Sequence, residues 1–570
     1  MQRKIAALSL IVLFLFSQQS ISLEKGAVCA QNINKLHILY LLRTGAFDKS
    51  LELYQEYHQS LGRHDFEVIQ QIAAIILDQG VKSHDLEIQL TSIFGSKIAG
   101  ISTSIDVLET AIISPHPQTQ LAAIQLLGSI QDDHCEELLT KAMSSDFFYT
   151  RMEAALQLAL RKSRTAVGQI ESLMYKVPPV MRFFFPQFFA LIGTNDAICI
   201  LRALMNDAHH ATRIESILNA ARFGRDDLLP LIRSKATHLN VAEQEACASA
   251  FGFLKDSQSL SLLHKLSASP SENVKLAALH SLHLLGNEKA KQEISTLAKN
   301  KNLFAIALLA DIADSEETLV SLMNSQDLQL RFNAAVSLLK RRDPRCKNAL
   351  KEFLMRDSRD LGFQPQFSVG NSLMSWKVIP SALQHQKEDA MDILTLTLHV
   401  KEYLLKECLE LPPDCFLEIA SYLFAVRQND LVPLLIALLE NLNTPEAIHF
   451  LESHAQMTGA PLIRMYCNLA LYRLKPKEAQ ESAILQWISM KKETEMIRFR
   501  PLLPINSRVQ EIERTFDLTP EENSRLLVES YQTFAFKHDN KGIDILLEGL
   551  KTGHPKNRPV LAGLLIQAIQ

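Results

Sequence analysis

The chain is short of the residues that build catalytic loops. It has 19 glycines and 21 prolines in 570 residues. So few glycines disfavour phosphate-cradling loops and many-turned all-β folds. No GxSxG, Walker-type loop, HExxH, GxGxxG or EF-hand loop occurs, and no CxxC or Cys/His spacing marks a metal site. Charge of one sign is also missing. Basic residues number 59 and acidic residues 63, leaving a formal charge of −4. That balance leaves no electrostatic footprint for nucleic acid or an anionic membrane. The sequence alone therefore predicts no catalytic residue, no cofactor, no metal and no nucleic-acid partner. His209-His210 reads as a solvated turn, since no acidic or Cys partner stands at ligand spacing. The acidic pairs Glu136-Glu137 and Asp226-Asp227 stand at helix starts, where the helix dipole favours them.

Long apolar runs are confined to the first residues. Arg3 and Lys4 precede an apolar run from Ile5 to Phe16, and Ser20-Ile21-Ser22 is a small-x-small pattern. This predicts a signal peptide over 1–22 and an exported mature chain, periplasmic or secreted, starting near Leu23. Two other readings stay open: a retained anchor, and a lipoprotein at Cys29, which Val28 disfavours. No later segment reads as transmembrane. Of the eight cysteines, Cys199, Cys247 and Cys467 lie in apolar helical patterns and read as small hydrophobes. A disulfide between Cys408 and Cys415 is left open.

One core rarely grows past about 250–300 residues, so this length requires several domains or a repeat array. A period is present. Ala123, Ala154, Phe185, Ser216, Cys247 and Ala278 stand 31 residues apart. Four residues on, Leu127, Leu158, Phe189, Ala220, Phe251 and Leu282 form an apolar column. Upstream, Leu139, Ile170, Leu201, Ile232, Leu263 and Ile294 form another. Each unit then holds two short helices that bury an apolar face only by stacking on neighbours. The fold class that follows is all-α: a right-handed superhelical solenoid of two-helix repeats. Three residues before the small column stands a polar one: Gln120, Arg151, Arg182, Arg213, Gln244, Lys275, Asn302 and Arg331. It reads either as a structural ladder onto turn carbonyls and carboxylates, or as a line of ligand-binding cations.

The stretches "NVKLAALHSLHLLG", "TRMEAALQLAL" and "LRFNAAVSLLKRRDP" resemble the core of HEAT repeats, of the short kind also found in phycobilin-lyase-type proteins. The resemblance implies the fold. Some lyase relatives handle tetrapyrroles, but no residue set here carries that over. "YLLRTGAFDKSLELYQEYHQS" resembles one tetratricopeptide unit, with Gly45 and Phe47 at the turn and Tyr54 packing. "NRPVLAGLLIQAI" places Arg558, Leu561 and Leu565 in the HEAT register, with Leu546 on the preceding helix.

The expected organisation is a signal peptide (1–22), N-terminal helical pairs (23–113), HEAT-like repeats (114–343), an irregular insert or junction (344–387) and C-terminal helical repeats (388–570). In the insert, Phe363, Phe367 and Trp376 either plug a junction or present a functional face. In "MRFFFPQFF", Pro186 is expected to kink the helix and Phe183 and Phe184 to leave the core stripe. With Arg182 beside them, those two rings are candidate partner-binding residues. "LTPEENSRLL" suggests Thr519 as a helix cap. The functional expectation is a non-enzymatic scaffold for a protein or peptide, with an envelope-associated structural component and a lyase-like enzyme as alternatives. The sequence specifies neither the oligomeric state nor the binding face.

Overall fold

The 31-residue spacing becomes structure through two kinds of helix. In the computed structural model, residues 35–238, 240–369, 373–380, 390–457, 459–502 and 518–570 are described. The signal-peptide expectation and Cys29 lie outside them. The first kind of helix carries the small column. Pro117–Ser129, Phe148–Leu160, Phe185–Ile192, His210–Arg222, Val241–Phe253 and Glu272–Leu284 lie side by side in sequence order. Most side chains in their middle turns are buried; Glu272–Leu284 buries every residue from Leu276 to Leu282. The second kind alternates with them. Asn195–Leu204, for example, buries only Ala197, Ile198, Leu201 and Leu204, one stripe at helical spacing. The chain is an all-α, HEAT-like repeat solenoid.

All three sequence columns are core. Every residue of the small column and of the upstream column is fully buried, and so is the second apolar column except Leu282, at 2% exposure. Small residues in the first column let neighbouring helices approach. On the flank of the same helices, a Cβ added to Gly252 would stand 2.8 Å from Ser281 Cα, and Ser281 Oγ donates to Ala248 O at 2.6 Å. Ser337 repeats that stitch on Ile306 O at 3.0 Å. A backbone carbonyl within hydroxyl reach of the next helix demands this close spacing.

The helices also end alike. Lys162, Gly193, Gly224, Lys255 and Gly286 all take positive φ, from +53° to +89°, and stand 31 residues apart. In four of the five, the next amide donates back to the second-column residue: Ser163 to Leu158 O, Arg225 to Ala220 O, Asp256 to Phe251 O and Asn287 to Leu282 O. This left-handed cap stops each helix at the same turn.

The chain divides into two units. One comprises residues 112–484 and 500–517, the other 1–111, 485–499 and 518–570. The second unit brings chain ends together. Arg558–Ile569 packs between Phe66–Val81 and Leu86–Ala99, so these N-terminal helices and the last helix share one core. Leu546, Leu561 and Leu565 are buried there, Tyr54 is buried, and Gly45 turns the chain at φ +82°.

Three local expectations need correction, and the open question of a Cys408–Cys415 disulfide is answered. Within 344–387, the described residues include a helix, Lys347–Met355, and an antiparallel hairpin of β1 (Leu361–Phe367) and β2 (Met374–Pro380), so the segment is not irregular throughout. Pro186 does not kink a helix: a 3-10 turn over Pro179–Phe184 precedes it, and Phe185–Ile192 starts with Pro186 in its first turn, where no amide donor is required. Thr519 does not cap a helix. Pro520 bridges Phe499, and the helix begins at Glu522. Cys408 and Cys415 are both free.

Candidate partner-binding surface

The polar column is structural wherever its contacts are seen. Gln120, Arg151, Arg213 and Gln244 each donate to the carbonyl six residues back, at 2.6–2.7 Å: Ser114, Ser145, Asp207 and His238. Gln89 does the same to Ser83 at 2.6 Å, extending the device into the other unit. Each long side chain thus ties down the turn that leads into its own helix. Contacts between repeats add to this. Arg213 pairs with the buried Glu243, Lys275 with Glu293 at 3.7 Å and Arg331 with Glu352 at 2.8 Å, while Ser145 Oγ donates to Gln120 Oε1 at 2.6 Å. Asn302 caps its own helix through Ala305 N at 3.0 Å. These donors serve the protein itself, which favours the ladder over a line of ligand-binding cations.

A second arginine set went unnoticed in the sequence. Arg161 reaches Ile130 O, Leu127 O and Asp132 O, all one repeat back. Arg341 reaches Ala310 O and Ile312 O, and Arg225 reaches Ala190 O at 3.0 Å. They satisfy carbonyls at the ends of preceding helices. The signal was the seven-residue offset of Arg161 and Arg341 from Ala154 and Ala334, which most repeats do not share.

The hairpin aromatics are not a functional face. Phe363 is fully buried, stacked on Phe332 at 4.9 Å and edge-on to Phe353 at 6.4 Å. Trp376 is 7% exposed. Its backbone is held at both polar groups by Asn333, whose Nδ2 donates to Trp376 O at 2.9 Å and whose Oδ1 accepts from Trp376 N at 3.0 Å. Phe363 N donates to Thr397 Oγ1 at 3.0 Å. Phe363 and Trp376 therefore plug the space between Leu328–Lys340 and Ala390–Glu407, and Phe367 is half-buried at the strand end. Beneath them, burial pushes Lys401 down to about 8, and its ammonium donates to Arg356 O.

The aromatic stretch is different. Phe185, Phe188 and Phe189 are fully buried. Phe183 and Phe184 are half-buried and stack on each other, centroids 4.2 Å apart. The 3-10 turn, having three residues per turn, rotates them off the core stripe. Arg182 lies over the Tyr175 ring at 5.4 Å and pairs with Asp207 at 3.6 Å. Tyr175 and Val180 are 62% and 61% exposed. Within residues 175–184 the chain thus offers aromatic, aliphatic and guanidinium groups, the composition of an interaction hot spot.

An open, mostly polar cleft is lined by Glu495, Met496, Arg498, Glu521 and Ser524. His209 and His210 are exposed on a turn, where His209 N donates to Asp207 Oδ1. Among the described residues one group brings possible metal ligands together: His58, His64 and Asp544, with ligand atoms within 4.8 Å of one another. No spacing in the sequence pointed to it, because Asp544 comes from the other end of the chain. No helix among the described residues is long and apolar enough to cross a membrane.

No family model matches the chain, and no curated protein is similar to it. Among solved structures it is similar to karyopherin Kap121p bound to the extreme C-terminus of the protein phosphatase Cdc14p, at 13% identity and a TM-score of 0.34, over 90% of this chain and 60% of that one. It is also similar to the pentatricopeptide repeat protein PPR10 from maize, at 12% identity and a TM-score of 0.28, over 91% and 84%. PPR10 in complex with an 18-nt psaJ RNA element matches at 14% and 0.25. The chain spans 60% of the karyopherin's length.

Proposed function

We propose that the chain is exported and acts as a non-enzymatic scaffold, binding a protein or peptide through the surface around Arg182, Phe183 and Phe184. One observation supports this most. Phe185, Phe188 and Phe189 fill the core, while Phe183 and Phe184 are half-buried and stack on each other, in a stretch that also exposes Tyr175 and Val180. Stacked rings with an adjacent guanidinium suit a partner offering an apolar side chain and a carboxylate or carbonyl. The repeats supply a rigid mount, since every column behind the patch is packed.

The test uses the full chain in its own cell, with a photo-crosslinking residue in place of Val180. One recurring protein adduct is expected. It should be lost in the Phe183→Ser/Phe184→Ser double variant, while circular dichroism keeps its helical signal. No adduct, an adduct indifferent to the double change, or a nucleic-acid adduct would each overturn the protein-binding reading. Export is checked separately by the N-terminal residue of the mature chain, where retained Met1 overturns cleavage.

A further inference from the structure

The turn between the helices Phe47–Leu61 and Phe66–Val81 places two imidazoles face to face. His58 comes from the last turn of the first helix and His64 from just before the second. Their centroids are 3.9 Å apart and their planes within 5° of parallel. Asp544, on the helix Asn540–Thr552 near the far end of the chain, brings Oδ1 to 3.3 Å from His64 Nε2. All three residues belong to the unit that contains both chain ends.

Two features of this cluster are unusual for a merely structural stack. The Nδ1 atom of His58 is buried with no hydrogen-bond partner. A buried polar atom without a partner costs about 1–3 kcal/mol, so its lone pair calls for an electrophile. His64 is ordered from its other side, with Nδ1 3.3 Å from the hydroxyl of the buried Tyr54. When that nitrogen carries the proton and donates it to Tyr54, Nε2 faces Asp544 with its lone pair free. A second group that fixes the imidazole tautomer is the usual support of a metal-binding histidine.

We infer that His58, His64 and Asp544 form a site for one first-row divalent cation of the zinc class, with solvent completing its coordination. Two imidazoles and one carboxylate match the nitrogen and oxygen preference of such an ion and suit calcium or magnesium poorly. Ligand atoms around a tetrahedral zinc stand about 3.3 Å apart, from bonds of about 2.0–2.1 Å. The set of 4.8 Å closes to that by two movements. The Asp544 side chain, 63% exposed, swings inward, and the rings turn out of parallel so that each donates along its own plane. The exposed carboxylate also provides the entry route. A bound ion would join the first described helical hairpin to the C-terminal helices, so occupancy should stabilise the unit by mass action.

The test uses the untagged full chain, stripped with chelator and titrated with zinc chloride by calorimetry and by competition with a chromophoric chelator. One ion per chain is expected, together with a rise in Tm. Asp544→Asn alters a surface side chain that the fold does not need, and His58→Gln keeps a polar atom in place. Each should weaken zinc at least about tenfold and cancel the Tm rise, with helicity unchanged. Cobalt should show the visible bands of a low-symmetry nitrogen and oxygen site in the parent and not in the variants. Failure of the parent chain to take up zinc saturably, or equal uptake by parent and both variants, would overturn the assignment.

Discussion

The backbones of Gly95 and Gly563 meet where the two ends of the chain pack. A Cβ placed on Gly563 would stand 2.1 Å from the Gly95 carbonyl oxygen, and one on Gly95 would stand 2.2 Å from Pro559 O. Both obstacles are backbone, which cannot swing aside as a side chain does. Glycine here is a condition of the contact between Leu86–Ala99 and Arg558–Ile569, and neither residue's own helix requires it.

Gly563→Ala should therefore destabilise that unit by about 2–3 kcal/mol through overpacking, although alanine is the better helix former. Gly168→Ala is the contrast, because a Cβ there meets nothing within 4 Å; it should be neutral or slightly stabilising. Thermal unfolding checks both. Hydrogen exchange should speed up in Leu86–Ala99 and Arg558–Ile569 in the first variant only. Unchanged exchange in Gly563→Ala would show that the helices can separate at no cost.

The left-handed caps make a second prediction. Lys255 takes φ +53° where three other repeats use glycine. A non-glycine residue there costs about 1–2 kcal/mol, and glycine loses roughly 0.5–1 kcal/mol through unfolded-state entropy. Lys255→Gly should thus stabilise by about 0.5–1 kcal/mol in the balance of those terms. Gly286→Ala, at φ +89°, should destabilise by about 1 kcal/mol. Denaturant midpoints compare the pair. A stabilised Gly286→Ala would refute the account of the caps.

Glu245 gives a prediction that depends on pH. It is 2% exposed, and its Oε1 has no partner. Burial raises its carboxyl from the ordinary 4.5 to about 8, against a smaller opposing effect of the Asn273 side chain. Between those values the folded chain holds a proton that the unfolded chain releases. Stability therefore falls as pH rises across that window, and no penalty remains below it. Glu245→Gln removes the titration. It should stabilise the protein by about 1–3 kcal/mol near pH 7 and change little near pH 4. Urea unfolding at both values measures this, and an equal effect at the two would rule out the buried acid as its origin.

Much of this was legible in advance. Ala278, Leu282 and Ile294 are buried because their columns repeat every 31 residues, and a stacked helix pair has only one way to cover such a stripe. The tie that Gln120, Arg151, Arg213 and Gln244 make to the carbonyl six residues back follows a repeated polar position, although Lys275, Asn302 and Arg331 in the same column make other contacts. Trp376 was left open because aromatic composition alone does not distinguish a plug from a docking face; the choice depends on Asn333, 43 residues away, which no local pattern connects to it. Phe183 and Phe184 were placed off the core stripe by the angular step of an α-helix, whereas they lie in a 3-10 turn that precedes the helix.

By itself the sequence determined whatever repeats: two helices per unit, the residues facing the core, and a polar position at the start of each core helix. Local spacing suffices for these because every unit meets the same neighbour. The tertiary structure alone decided what occurs once. It set Gly563 against Gly95, Asn333 against Trp376, and Asp544 against His58 and His64. Contacts between residues tens to hundreds of positions apart, each made once, leave no periodicity to read.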